Sequence, residues 1–150
     1  MRSHRCSLFA LLLLLALVPA PAAAGAPAAG AWPDTRAGAL AQGWVRAFAA
    51  GEDSMRAFLT RDMAAASLAE RPVSVRLSRY REMRETYGRF QLAEVVKSEP
   101  ALLTVKLLDA KAKSYDAEFA IESAPPQKLK SVTLRSKVSG GHSLFGGFHH

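Results

Sequence analysis

Cysteine is almost absent from this chain: Cys6 is the only one in 150 residues, and it precedes a run of leucines. No intrachain disulfide can form, and no set of thiolates can hold a metal. Histidine is nearly as scarce, with none between Arg5 and Gly141. The usual near-neutral proton shuttle is therefore missing from the body of the chain. There is no His-Glu-x-x-His, no phosphate-cradling glycine loop, and no serine with lysine three residues on. The stretch around Ser143 approaches a nucleophile elbow, but Phe145 stands where that turn requires glycine. His142, His149 and His150 lie in a Gly-rich tail with no carboxylate or thiol beside them. Nothing there preorganises a metal site, so no metal or other cofactor is expected.

A membrane-length apolar run is also lacking. "SLFALLLLLALV" is too short for a comfortable span and is soon interrupted by Pro19 and Pro21. Preceded by "MRSHR" and followed by "PAPAAAG", it reads as a secretory leader cut before Gly25. The expected location is secreted or periplasmic, with no stable membrane span after processing. The formal charge is +7, and loss of Arg2 and Arg5 with the leader leaves a modest basic excess. Acids are interspersed among the bases, and no groove-reading motif or aromatic platform occurs, which argues against nucleic acid.

What is present divides into four parts. Residues 1–24 form the leader, and residues 25–33 an Ala/Pro/Gly-rich flexible tether. Residues 34–138 form one α+β domain, and residues 139–150 a disordered Gly/His tail. Asp34 is placed to cap a first helix whose apolar stripe is Leu40, Trp44 and Phe48, ended by Gly51. A second helix starts at Asp53 or Ser54, with Met55, Phe58, Leu59 and Met63 on its core face, and "AAASLAE" prolongs it. Pro72 suits the first position of a third helix, which Gly88 closes. From Phe90 the apolar period falls from 3.6 to 2, and four strands follow with short connections. Three helices packed on a four-stranded antiparallel sheet is the expected arrangement.

"WVRAFAAGEDSMRAFL", "AERPVSVRLSRYREMRETYG" and "EFAIESAPPQKLKSVTLR" resemble the nuclear transport factor two-like superfamily. More narrowly, they are similar to the extracytoplasmic module that precedes tail-specific serine proteases or beta-lactamase-like serine hydrolases. The likeness covers residues 36–137. It implies a strongly bent sheet wrapping the helices into a cone with a pocket, and work beside a serine hydrolase. The superfamily holds isomerases and dehydratases as well as ligand carriers, so the fold alone names no activity.

Helical spacing puts Val73, Leu77, Tyr80, Met83 and Tyr87 on one face of the third helix. Arg79, Arg81, Glu82 and Glu85 lie away from it, with Arg81 able to pair with Glu85. Arg76 and Arg84 share the tyrosine sector. Their stems can cover the apolar stripe while the guanidinium groups reach water or a sheet carboxylate such as Glu94. Alternatively one of them, Arg84 first, binds a carboxylate ligand at the mouth of the cone. The pocket candidates are Arg84, Arg76, Tyr80, Tyr87, Trp44 and Phe119. "LLTVKLLD" is apolar on both faces, which points to a protein partner or a homodimer through Leu103, Val105 and Leu107. The expectation is a non-catalytic module that binds a small ligand, a carboxylate among the options, or a protein. The competing expectation is an isomerase or dehydratase, with Tyr80, Tyr87 or Tyr115 as donor and Asp62 or Asp109 as base.

Overall fold

A computed structural model describes residues 31–136. The leader, most of the tether and the histidine tail lie outside the described residues. Four helices precede four strands: α1 Arg36–Ala50, α2 Glu52–Asp62, α3 Ala65–Glu70, α4 Val73–Tyr87, then β1 Gln91–Ser98, β2 Leu102–Leu108, β3 Ser114–Ile121 and β4 Leu129–Ser136. The strands pair antiparallel in sequence order, each with the next. The chain is α+β, as its change of period indicates.

Helix boundaries follow side-chain chemistry, in places one residue from the expected positions. Thr35 rather than Asp34 caps α1, its hydroxyl accepting from the Gly38 N–H at 3.0 Å. Gly38 itself cannot carry a side chain: a Cβ there would lie 2.0 Å from the Pro33 carbonyl oxygen. The chain thus presses on α1 before Asp34, and Trp32 packs against the core, so ordered contact begins within the segment expected to be a tether. Gly88 ends α4 at φ 73°, with its N–H on the Arg84 carbonyl, and a Cβ there would meet Ala110 at 2.9 Å.

The helical run through "AAASLAE" is broken. Met63 adopts extended backbone and forms a parallel bridge to Leu129, and the Ala64 N–H donates to the Leu129 carbonyl at 2.8 Å. That long-range pairing satisfies backbone groups a continued helix would have bonded locally, so α3 is a separate turn-and-a-half.

The core lies between the helices and one face of the sheet. Leu40, Trp44 and Phe48 of α1 meet Leu103, Val105, Leu107, Ala117 and Phe119 of the central strands. Leu103, Val105 and Leu107 are each 0% exposed. They occupy the helix-facing side of β2, so the expected interface row is core instead. The opposite side carries Leu102, Thr104, Lys106 and Leu108, all half-buried. Across it runs a row of alternating charge, Glu94 opposite Lys106, Lys106 opposite Asp116, Asp116 opposite Arg135. Glu94 bonds Lys106 at 3.2 Å on this outer face, so it does not serve the α4 arginines. Register shifts at Leu92/Glu94 and Val95/Lys97 in β1, and at Lys130 of β4 opposite Ala120/Ile121, bend the strands locally.

Candidate ligand pocket

A cavity of about 120 Å³ opens between α1, α2, α4 and β4. Its base is apolar: Trp44 and Phe48 from α1, Met55 and Leu59 from α2, Leu129 and Val132 from β4. Met63, Met83 and Tyr80 complete the wall. Arg71, Arg76 and Arg79 line the rest, and no acidic side chain does.

The arginines differ in how they are held. Arg79 forms an ion pair with Glu82 at 3.0 Å. Arg76 is half-buried, donating through Nε to the Arg71 carbonyl at 2.8 Å and through Nη2 to the Ser67 carbonyl at 2.7 Å. Its pKa lies below the ordinary guanidinium range, first because burial disfavours the charge and then because Arg71 repels it, with Glu70 pulling the other way. Arg71 is exposed, and among the described residues neither it nor Arg76 has a carboxylate within 4.0 Å.

Three of the expected pocket residues, Trp44, Arg76 and Tyr80, come together in this cavity. The other three go elsewhere. Phe119 is 0% exposed and packs edge-on against Trp44 at 5.7 Å, in the core. Tyr87 packs tilted against Phe90 and edge-on against Tyr115, with ring centroids 5.2 and 5.0 Å away. Arg84 lies apart from the cavity, donating through Nη1 to the carbonyls of Phe48 and Ala49 at the C-terminus of α1. Tyr80 donates to the same Phe48 carbonyl at 2.9 Å. A helix leaves its last carbonyls without internal partners, and the positive charge of Arg84 also suits the negative end of the α1 dipole. Arg81, expected to pair with Glu85, instead makes a two-point contact with Glu52 at the start of α2.

Sequence periodicity could not find Arg71, which sits in the α3–α4 connection rather than on a helix face. Arg79 lies away from the helix stripe, where spacing predicts a solvated side chain, yet it lines the cavity.

The acid–base alternatives are engaged in structural contacts. Asp62 pairs with its neighbour Arg61 at 2.8 Å. Asp109 folds the β2–β3 turn, accepting from the Lys111 and Lys113 N–H groups at 2.8 and 2.9 Å and from the Tyr115 hydroxyl at 3.2 Å. Partial burial raises its pKa, but these hydrogen bonds and the Lys111 charge outweigh it and hold the carboxyl below its usual range. Tyr115 is pushed up, by burial first and then by Asp109. A weakened base beside a weakened acid is poorly matched for proton transfer near neutral pH.

The depressed Asp109 pKa has a stability consequence. Its contribution is present above the unfolded carboxylate pKa and is lost as pH falls through the lower, folded value. Asp109→Asn keeps an acceptor but no charge, so its melting temperature should fall less steeply than the parent's between about pH 5 and 2. Parallel melts across that range measure the difference; identical slopes would remove Asp109 from the acid response.

Among the described residues no group of three His, Cys, Asp or Glu side chains could hold a metal ion. No described helix is long and apolar enough to cross a membrane. Comparison with protein-family models, with curated proteins and with solved structures found no match.

Proposed function

We propose that this chain is an exported, non-catalytic binding module of nuclear transport factor two-like type. It holds a small, largely apolar molecule in the pocket between α1, α2, α4 and β4. The observation that carries this reading is the cavity itself: apolar walls, a volume of about 120 Å³, and arginines at the edge without an acidic partner on the wall. Ligand sites have this wall chemistry, mostly apolar with a few polar groups that set orientation, and the small volume restricts the occupant to a molecule well below drug size. The engagement of Asp62 and Asp109 in local contacts favours binding over catalysis. On the resemblance, the module works beside a serine hydrolase, in the same chain or as a separate partner.

Thermal melts with single-ring probes test the pocket. Toluene, benzyl alcohol and benzoate form a sufficient panel, with Trp44 fluorescence in a Trp32→Phe background as a second readout. A probe at 100 times its Kd stabilises the folded chain by about 2.7 kcal/mol, enough to move the melting temperature by several degrees. Val132→Phe places a ring in the cavity and should abolish the shift. No shift with any probe, together with unchanged Trp44 emission, refutes the pocket.

A further inference from the structure

We propose that the ligand of this pocket is a monocarboxylate, its acid group held between Arg71 and Arg76 and its single ring or branched alkyl group seated in the apolar cavity; the inference rests on the pocket reading above. Three arginines line the cavity; Arg79 is ion-paired with Glu82, whereas among the described residues Arg71 and Arg76 have no carboxylate within 4.0 Å and Glu70 acts on Arg76 only from farther away. Arg71 and Arg76 are close enough for one to depress the pKa of the other. The start of α4 adds to this, because its first turn has no acidic residue and no side-chain cap. An anion between the two arginines would relieve the repulsion and compensate the helix end together.

The Nε–Nη2 edge of Arg76 is fixed by two backbone carbonyls. Neutral carbonyls position the group without cancelling its charge. Nη1 makes no hydrogen bond among the described residues, so its N–H groups remain to donate to a carboxylate. The two carbonyl bonds account structurally for one edge of Arg76, but they leave the Arg71 side chain unexplained.

Size and wall chemistry define the rest of the ligand. A dry, apolar cavity of about 150 Å³ accommodates benzene, so about 120 Å³ suits one ring or a short branched chain. Met55, Met63 and Met83 contribute flexible, polarizable walls that contact aromatic rings well.

Calorimetric titration of the purified protein with benzoate, cyclohexanecarboxylate, benzamide and benzyl alcohol tests the assignment. Benzoate should bind at least about 10-fold more tightly than benzamide, the effect of one charge-assisted hydrogen bond. Its affinity should fall with added salt, whereas that of benzamide should not. Arg71→Met leaves both carbonyl bonds of Arg76 in place and should weaken benzoate about 10-fold, with benzamide within about twofold. Arg76→Met should lose more, but it also unties Ser67, so Arg71→Met is the deciding variant. Equal binding of benzoate and benzamide, or unchanged benzoate affinity in Arg71→Met, overturns the carboxylate inference while leaving the pocket intact. Absence of binding by all four probes removes the pocket reading and this inference with it.

Discussion

Leu107→Lys should leave the chain largely unfolded near neutral pH, and Leu103→Lys should do the same. Both leucines are 0% exposed; Leu107 pairs across to Leu92 and Tyr115, and Leu103 to Phe119. Replacing either removes a buried side chain worth about 2–5 kcal/mol and adds the penalty of burying an ammonium group. The sum is comparable with the whole stability of a typical domain, about 5–15 kcal/mol. A buried lysine has its pKa lowered, so the folded form takes it neutral while the unfolded chain keeps it charged. The penalty is therefore largest well below the unfolded pKa and shrinks as pH rises toward about 10.4. Thr104→Lys lies between the two leucines but faces outward, and should change stability by no more than about 1 kcal/mol. Urea melts at pH 7 and pH 9.5 compare the three. A folded, cooperative Leu107→Lys at pH 7 would contradict the burial of this row.

That parity was the least readable feature of the sheet. β3 alternates strictly, and Tyr115, Ala117, Phe119 and Ile121 are buried as the alternation indicates. β2 has leucines at 102, 103, 107 and 108, so both faces look apolar and local pattern cannot choose the inner one. Pairing decides it: Val105 opposite Ala117 and Leu103 opposite Phe119 place the odd-numbered residues inward. The α1 stripe was readable because Leu40, Trp44 and Phe48, the large apolar side chains, repeat every four residues among small alanines and glycines. α4 was harder. Its arginines alternate with its apolar residues, and only Leu77 and Tyr80 are fully buried.

The pocket was legible only in part, for a related reason. Trp44, Arg76 and Tyr80 sit on helices whose angles can be counted, and they do converge. The break at Met63 depends on its bridge to Leu129, 66 residues on, and no local signal specifies such a pairing. That break brings β4 to the cavity and lets the α3–α4 connection carry Arg71 to its edge. Arg84 shares the tyrosine sector, a position that points equally to a ligand or to a sheet carboxylate, and it meets neither. Its acceptors are backbone carbonyls, which exist at every helix end whatever the side chains.

Loss of Arg84 and the Tyr80 hydroxyl together should destabilise the protein more than the two single losses added. Both groups donate to the Phe48 carbonyl, and Arg84 also reaches that of Ala49. Ala49 is exposed, so its carbonyl can turn to water when Arg84 is removed. Phe48 is 0% exposed, and its carbonyl retains one donor in either single variant. Arg84→Met should therefore cost about 1.5–2 kcal/mol and Tyr80→Phe about 1 kcal/mol. In the double variant the Phe48 carbonyl has no donor from α4, which adds the desolvation penalty of an orphaned acceptor, about 1–2 kcal/mol. The expected total is about 4 kcal/mol, and denaturant melts of the four proteins give the coupling directly. Arg84→Lys keeps the charge at the helix end but not the planar fork, and should lie between the parent and Arg84→Met. Strict additivity would show that Phe48 does not join the two side chains. A stability gain in Arg84→Met would instead mean an uncompensated charge, the state of a group awaiting an anion rather than one securing the end of α1.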